Sequence, residues 1–251
     1  KEVSFFQSSL NAKLKAALRV FGVGVERNYE KILDDFQPDV IHLNNIHSYL
    51  SPIVAELAHK RGIKVIWTVH DYKLICPTYS FLCQGKPCEA CIENKYSVIS
   101  RKCMKNSLLA SLLAWGEIMY WNKGRLSRWT DAFICPSNFM AQKMMQGGYP
   151  ANKLHVIYNF IDSGKAKLIS ELSSEERELA YVYLGRLSKE KGIEELLKVA
   201  EQLPYKLYIA GRGPLEDILK QKYSSDNIKF VGHLSAEKII KLFKKVQFSV
   251  I

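Results

Sequence analysis

Tyr183-Leu184-Gly185-Arg186-Leu187-Ser188-Lys189-Glu190-Lys191-Gly192 closes one apolar run and opens a segment with helical spacing. Leu179 to Leu184 reads as a buried strand and Gly192 to Gln202 as a helix, so the decamer is a strand-to-helix turn. Its residues suit an anion. Arg186 offers a fork of donors to phosphate oxygens, and Lys191 adds a point charge at a helix N-terminus. Gly185 lets the backbone come close, and Gly192 fits the helix start. The pattern recurs twice downstream. Tyr205 to Ala210 reads as a strand ending in Gly211-Arg212-Gly213-Pro214. Gly211 and Gly213 are expected to leave room for a ligand, and Pro214 suits the first turn of a helix reaching Tyr223. Ile228 to Val231 is a strand ending in Gly232-His233-Leu234-Ser235, with Ser235 as N-cap of a helix from Ala236 to Lys244. Val246 to Ile251 is a last strand. Ordinary βα turns also favour glycine. Three such turns at consecutive strand ends mark the sheet edge where open α/β folds bind ligands. A G-x-G-x-x-G fingerprint is absent, which argues against a dinucleotide dehydrogenase.

The first half alternates in the same way. Helical spacing over Glu26 to Phe36 precedes a strand at Asp39 to Leu43. A helix from Leu50 to Lys60 ends at Arg61-Gly62, and Ile63 to Trp67 is a strand. A cysteine-bearing loop runs from His70 to about Lys105. Asn106 to Arg128 reads as one long helix, Asp131 to Cys135 as a strand, Asn138 to Gln146 as a helix capped by Ser137, and Leu154 to Ile157 as a strand. Strands alternating with helices predict two doubly wound parallel sheets, an α/β architecture. The expected domains are 1–162 and 163–251, with a hinge over Asn159 to Lys167. Before Glu26 only a basic, amphipathic stretch around Ala12 to Phe21 stands out.

Composition excludes several classes. Of 251 residues, 47% are hydrophobic and 24% charged, an ordinary globular balance. Lys and Arg outnumber Asp and Glu by 36 to 25, a net charge of +11 spread over both halves. That suits anionic partners such as nucleotides, phosphorylated lipids or a membrane surface. Nucleic acid is not expected, because the basic residues are dispersed and no recognition motif occurs. No apolar run has a membrane-spanning length, and the first residues carry no signal-peptide pattern. Five of the six cysteines lie between Cys76 and Cys103 in a chain that is otherwise Cys-poor, which reads as a reducing cytosolic compartment.

The runs at Gly185–Gly192, Ile209–Pro214 and Val231–Leu234 resemble the family-4 retaining glycosyltransferases, over most of the chain from about Gln37 to Ile251. The resemblance implies the GT-B architecture, two Rossmann-like domains facing a cleft. It implies transfer of a sugar from a nucleotide-diphosphate sugar to a hydroxyl acceptor with retention, in polysaccharide or lipid-linked glycan synthesis. Arg186 and Lys191 would hold the donor diphosphate and stabilise it as a leaving group, with no metal required. Gly211, Gly213, Gly232, His233 and Leu234 would line the nucleotide. His70, in Trp67-Thr68-Val69-His70-Asp71-Tyr72, matches a strand-end histidine that touches the donor sugar. Asn44, His47 and Asp71 are the acceptor-side candidates, Asp71 either orienting His70 or capping the loop. The family's Glu-x7-Glu pair and its N-terminal Gly-rich loop do not occur, so the sequence is expected to be a piece of a longer chain truncated at both ends. Two other readings stay open: an inactive nucleotide-sugar-binding homologue, and another GT-B enzyme such as a sugar-nucleotide epimerase.

Two features stand apart from these motifs. Cys88-Glu89-Ala90-Cys91 has metal-ligand spacing, and two of Cys76, Cys83 and Cys103, with Cys76 and Cys103 the candidates, would complete a structural four-cysteine zinc site. Reduced free thiols are the other reading. The helix after it carries Leu108, Leu109, Leu112, Leu113, Trp115, Met119 and Trp121 between basic clusters, a composition that suits the inner face of a membrane as well as a packed core. An outward Trp121 or Trp129 would favour the membrane.

Overall fold

Two runs of β-branched and aromatic residues seed two separate parallel sheets. The computed structural model describes residues 18–48, 50–164, 167 and 177–250. The amphipathic stretch from Ala12 therefore lies outside the described residues up to position 17, as does Ile251. In the first sheet, β1 (Val40–Asn44), β2 (Lys64–Thr68), β5 (Ala132–Cys135) and β6 (Leu154–Val156) pair in the order β1-β2-β5-β6, all parallel. Helices α1 (Glu26–Phe36), α2 (Ile53–Lys60) and α7 (Asn138–Gln146) alternate with these strands. The chain divides into two compact units, Lys1–Asn159 and Phe160–Ile251. The division falls at the start of the segment expected as a hinge, of which residues 165 and 166 lie outside the described residues.

In the second unit, β7 (Glu178–Leu184), β8 (Lys206–Ala210), β9 (Ile228–Gly232) and β10 (Val246–Val250) pair in the order β10-β7-β8-β9, again all parallel. Both faces are covered. Tyr181, Tyr183, Leu207 and Ile209 meet α8 (Ile193–Ala200) and α9 (Glu216–Lys222) through Leu197 and Leu219. On the opposite face Ala180, Val182, Tyr208 and Ala210 lie under Leu242 and Phe243 of α10 (Ala236–Lys245). Two-sided burial is why these strands read as continuous apolar runs.

Several local readings are corrected. The helix expected from Leu50 starts at Ile53. The long helix from Asn106 is broken into α5 (Leu108–Tyr120) and α6 (Lys123–Trp129). Trp121 leaves helical geometry and its indole N–H donates to the Val20 carbonyl at 2.7 Å, while the Asn122 side chain accepts from the Arg125 amide and starts a new helix. Trp121 is therefore 3% exposed, and Trp129 packs against the same core. Ser137 caps α7 as expected, accepting from the Met140 amide at 3.1 Å. Ser235 makes no such side-chain bond.

The cysteine loop is more ordered than its sequence suggests. A hairpin joins β3 (Leu82–Cys83) to β4 (Lys86–Pro87) through Gln84 and Gly85, both at positive φ, as a two-residue hairpin turn requires. Single turns α3 (Ala90–Glu93) and α4 (Ser97–Ser100) follow. Two half-buried ammonium groups hold the loop down. Lys73 Nζ donates to Glu117 on α5 at 2.6 Å and to the Pro77 carbonyl at 3.0 Å. Lys95 Nζ donates to the Ile75 and Cys91 carbonyls, each at 2.6 Å. Burial pushes the Glu117 carboxyl above the usual range, against the pull of Lys73.

Beside the Lys73–Glu117 pair, the His47 ring lies 5.4 Å from the Trp67 ring. Burial, reinforced by the Lys73 charge, pulls its imidazole down to about 3. An unfolded His47 takes up a proton near pH 6.5 that the folded one refuses until about 3, so its contribution to stability is present above 6.5 and lost as pH falls through that window. Between pH 7 and pH 5 the native protein should lose about 2 kcal/mol more stability than a His47→Gln variant. Urea unfolding at both pH values measures the difference, and parallel losses would contradict the assignment.

Candidate functional site

The carboxyl ends of β7, β8 and β9 come together through backbone alone. The Gly185 amide donates to the Ala210 carbonyl at 3.1 Å, and the Gly211 amide to the Gly232 carbonyl at 2.8 Å. The Leu187 amide donates to Arg212 at 3.0 Å, and the Leu215 amide returns to Leu187 at 3.1 Å. A Cβ on Gly211 would collide with the Gly185 carbonyl oxygen, and one on Gly213 with the Leu187 carbonyl. Gly211 also sits at φ +145°, where a side chain is strained. The sequence suggested that these two glycines leave room for a ligand, and Gly211 does line the concavity beside these turns, whereas Gly213 does not. Both let one turn lie flat on the next.

The laced turns border an open concavity of about 350 Å³, lined by Leu184, Gly185, Arg186, Ala210, Gly211, Arg212, His233, Leu234 and Ile239. The residues expected at the diphosphate and at the nucleotide thus fall into two groups. Gly185, Arg186, Gly211, His233 and Leu234 line it, whereas Lys191, Gly213 and Gly232 do not. Lys191 closes a 3-10 turn, Lys189–Lys191, just ahead of Gly192, which is left-handed at φ +61° and starts α8. Arg212 is the lining residue that sequence reading left without a role. Its signal was available, since a lone cation follows the last strand residue and a glycine, as Arg186 does. Two exposed guanidinium groups on adjacent turns can accept an anion with little desolvation cost. Glu190 stands close by. Its carboxylate accepts from Ser188 Oγ at 2.6 Å, and that bond, then the Arg186 and Lys191 charges, hold it below the usual range.

In the first unit, the ends of β1 and β2 bring Asn44 and His70 together. His70 Nε2 lies 2.8 Å from Asn44 Oδ1, and both residues are exposed. An amide oxygen only accepts, so Nε2 donates in this bond, and the Nε2–H tautomer has Nδ1 as an acceptor. The other two acceptor-side candidates are engaged elsewhere. Asp71 Oδ1 accepts from the Lys73 amide at 2.8 Å, which caps the loop and does not orient His70. His47 is packed against Trp67.

Of the cysteines expected to share a zinc ion, Cys76 and Cys91 pair with each other, and Cys88 and Cys103 have other partners. Cys91 bonds to Cys76, which lowers the Cys76 thiol. Cys103 donates to Cys83 at 2.9 Å, and Cys88 accepts from Arg101 at 3.4 Å. Among the described residues no three His, Cys, Asp or Glu side chains are grouped to hold a metal ion.

The profile of Glycosyltransferase Family 4 matches residues 14–165, well over half of the chain. The chain belongs to glycosyltransferase family 4. The profile of glycosyl transferases group 1 matches residues 165–251 of this family member. A Klebsiella pneumoniae protein described as an uncharacterized 42.6 kDa protein in the cps region is 26% identical over 227 residues, 88% of this chain and 53% of its own length. An uncharacterized glycosyltransferase of Methanocaldococcus jannaschii is 30% identical over 120 residues, 41% of this chain and 31% of its own. Among solved structures, Anabaena HepE in complex with UDP superimposes with a TM-score of 0.54 at 17% identity, over 88% of this chain and 55% of that one. These likenesses and the two parallel sheets place the fold in the GT-B class. The chain spans about half the length of the 42.6 kDa Klebsiella relative and of Anabaena HepE.

The lacing makes a graded prediction for this family-4 chain. Gly232 is at φ +69° with open space where a Cβ would stand, so Gly232→Ala should cost only conformational strain, about 1 kcal/mol. Gly211→Ala adds a backbone collision and should cost about 2–3 kcal/mol in all. Urea denaturation of the two variants would refute the lacing if Gly232→Ala proved the more damaging.

Proposed function

We propose that this protein binds a nucleotide-diphosphate sugar at the β7–β9 edge of its second unit and transfers the sugar, with retention, to a hydroxyl of a glycan or lipid-linked acceptor. The observation that carries the reading is the concavity lined by Arg186 and Arg212 at the carboxyl ends of three parallel strands, in a family-4 chain. Anabaena HepE, of similar fold, is described in complex with UDP and with UDP-glucose, which supports a uridine donor here. The Klebsiella relative's place in a cps region supports capsule or related polysaccharide synthesis. The proposed setting is the cytoplasmic face of a membrane. No helix among the described residues is long and apolar enough to cross one.

Each group has an assigned task in this reading. Arg186 and Arg212 fork onto the diphosphate, and Lys191 adds charge from the rim. As the glycosyl bond breaks, charge grows on the leaving diphosphate, and cations already fixed there lower the barrier without reorganising. The laced backbone keeps Arg186 and Arg212 in register with each other. His70, fixed by Asn44, accepts a hydrogen bond from a sugar hydroxyl and orients the sugar. Retention is read directly by the anomeric configuration of the product in a nuclear magnetic resonance assay.

Titration calorimetry with UDP tests the donor site. Arg186→Ala, Arg212→Ala and Lys191→Ala should each weaken UDP binding by about tenfold to a hundredfold, the scale of a charge-assisted hydrogen bond. Unchanged affinity in all three would exclude the site. His70→Ala should lower kcat while leaving UDP affinity nearly intact, because its partner is the sugar. Normal turnover with lost UDP affinity would contradict that role.

A further inference from the structure

Helix α5 buries one side and leaves the other bare. Ser111, Ala114, Glu117 and Ile118 face the core. Leu108, Leu109, Leu112, Leu113, Met119 and Tyr120 are exposed, Leu109 by 70% and Leu108 by 52%. At 3.6 residues per turn these six fall in one arc of about 140°, a continuous ridge along a helix about 20 Å long. Isolated exposed leucines are ordinary, but a ridge of this length on a polar surface marks a contact.

Charge decides what it contacts. From Lys95 to Thr130 the sequence holds one carboxylate, Glu117, and that one is buried against Lys73. Six exposed cations flank the ridge: Arg101, Lys102 and Lys105 before it, and Lys123, Arg125 and Arg128 after it. Arg125 is held at the ridge itself, its guanidinium carbon 4.9 Å from the centre of the Tyr120 ring and its N–H on the Tyr120 carbonyl at 3.1 Å. A second copy of the chain would bring six like charges against six, so self-pairing through this face is opposed. A convex apolar ridge with a tyrosine and an arginine at its end and cations at both ends matches the acyl and headgroup layers of an anionic lipid leaflet.

We propose that α5 is a bilayer-docking surface, with the leucine ridge lying among the acyl chains and the flanking Lys and Arg on anionic headgroups. The proposal rests on the membrane setting proposed above and uses none of the donor-site residues. It also replaces the expected anchor, since Trp121 is buried and the leucines stand outward.

Sedimentation of the full chain with vesicles tests it, using phosphatidylcholine alone and phosphatidylcholine mixed with phosphatidylglycerol. Binding should require phosphatidylglycerol and weaken with added salt. The double variant Leu109→Ser with Leu113→Ser should bind at least about tenfold more weakly, because two exposed side chains lose their apolar transfer energy. Lys102→Glu with Lys105→Glu should show a similar loss. Equal binding to both vesicle types, or full binding by the serine variant, would overturn the proposal. So would a concentration-dependent dimer in sedimentation velocity that the serine pair abolishes in a chain that ignores vesicles. UDP calorimetry on the same samples separates the two readings. UDP binding without vesicle binding overturns the docking surface alone, and vesicle binding without UDP binding upholds it while the donor site fails.

Discussion

Beyond the ends of β7, β8 and β9, backbone must meet backbone with no side chain between. Gly211 and Gly213 satisfy that condition against the Gly185 and Leu187 carbonyls, and the interturn hydrogen bonds then close. Everything proposed for the second unit follows from this contact. Arg186 and Arg212 project from turns that cannot move independently, so their spacing is a property of the backbone and not of long side chains. Preorganised charge is effective because it needs no rearrangement when the leaving group becomes anionic. A glycine whose visible duty is packing is therefore also a condition for the chemistry, through the arginine beside it.

The first unit solves a different problem. A segment of some thirty residues with little regular structure must be held against the sheet that carries His70. The thiols contribute as pairs, but half-buried ammonium groups do more, since Lys73 and Lys95 satisfy carbonyls that the loop would otherwise leave without donors. The Lys73–Glu117 bond also ties the loop to α5, and Asp71 fixes the loop's first turn next to His70. Such a pair is costly to bury and more costly to break, which makes it a determinant of which loop conformation is adopted more than a source of net stability.

The sheets were legible chiefly through their central strands, β2, β5, β7 and β8, which are largely buried and appear as near-continuous apolar runs. The eight strands fall within a residue or two of where composition puts them. The break between α5 and α6 was not legible. Trp121 and Asn122 continue a helical pattern, and only the Val20 carbonyl, about a hundred residues away in the chain, draws the indole out of it. The hairpin at Gln84-Gly85 has strands too short for any periodicity to register. At the site, the charged run Gly185–Gly192 marks Arg186, whereas Arg212, between two glycines, has the composition of an ordinary βα turn. The direction in which α5 faces could not be read either. Its hydrophobicity is high all round, so periodicity does not say which residues the core takes.

The net charge of +11 also divides differently from what a count of residues implies. Lys73, Lys95 and Lys153 each donate to backbone carbonyls, Lys153 to Ser127 and Thr130 at 2.6 and 2.7 Å. They act as staples and add little to the field outside. Other cations are exposed in many places, among them the turns holding Arg186 and Arg212 and the segments before and after α5. The two partners proposed for these groups differ in kind, because a diphosphate is a compact ligand met by a pair of forks and a leaflet is a continuous charged plane met by many dispersed groups. Salt therefore separates them. The leaflet contact sums several weakly held, solvent-exposed charges and decays steeply with ionic strength, whereas forks in close hydrogen-bonding contact with a diphosphate keep a larger share of their strength.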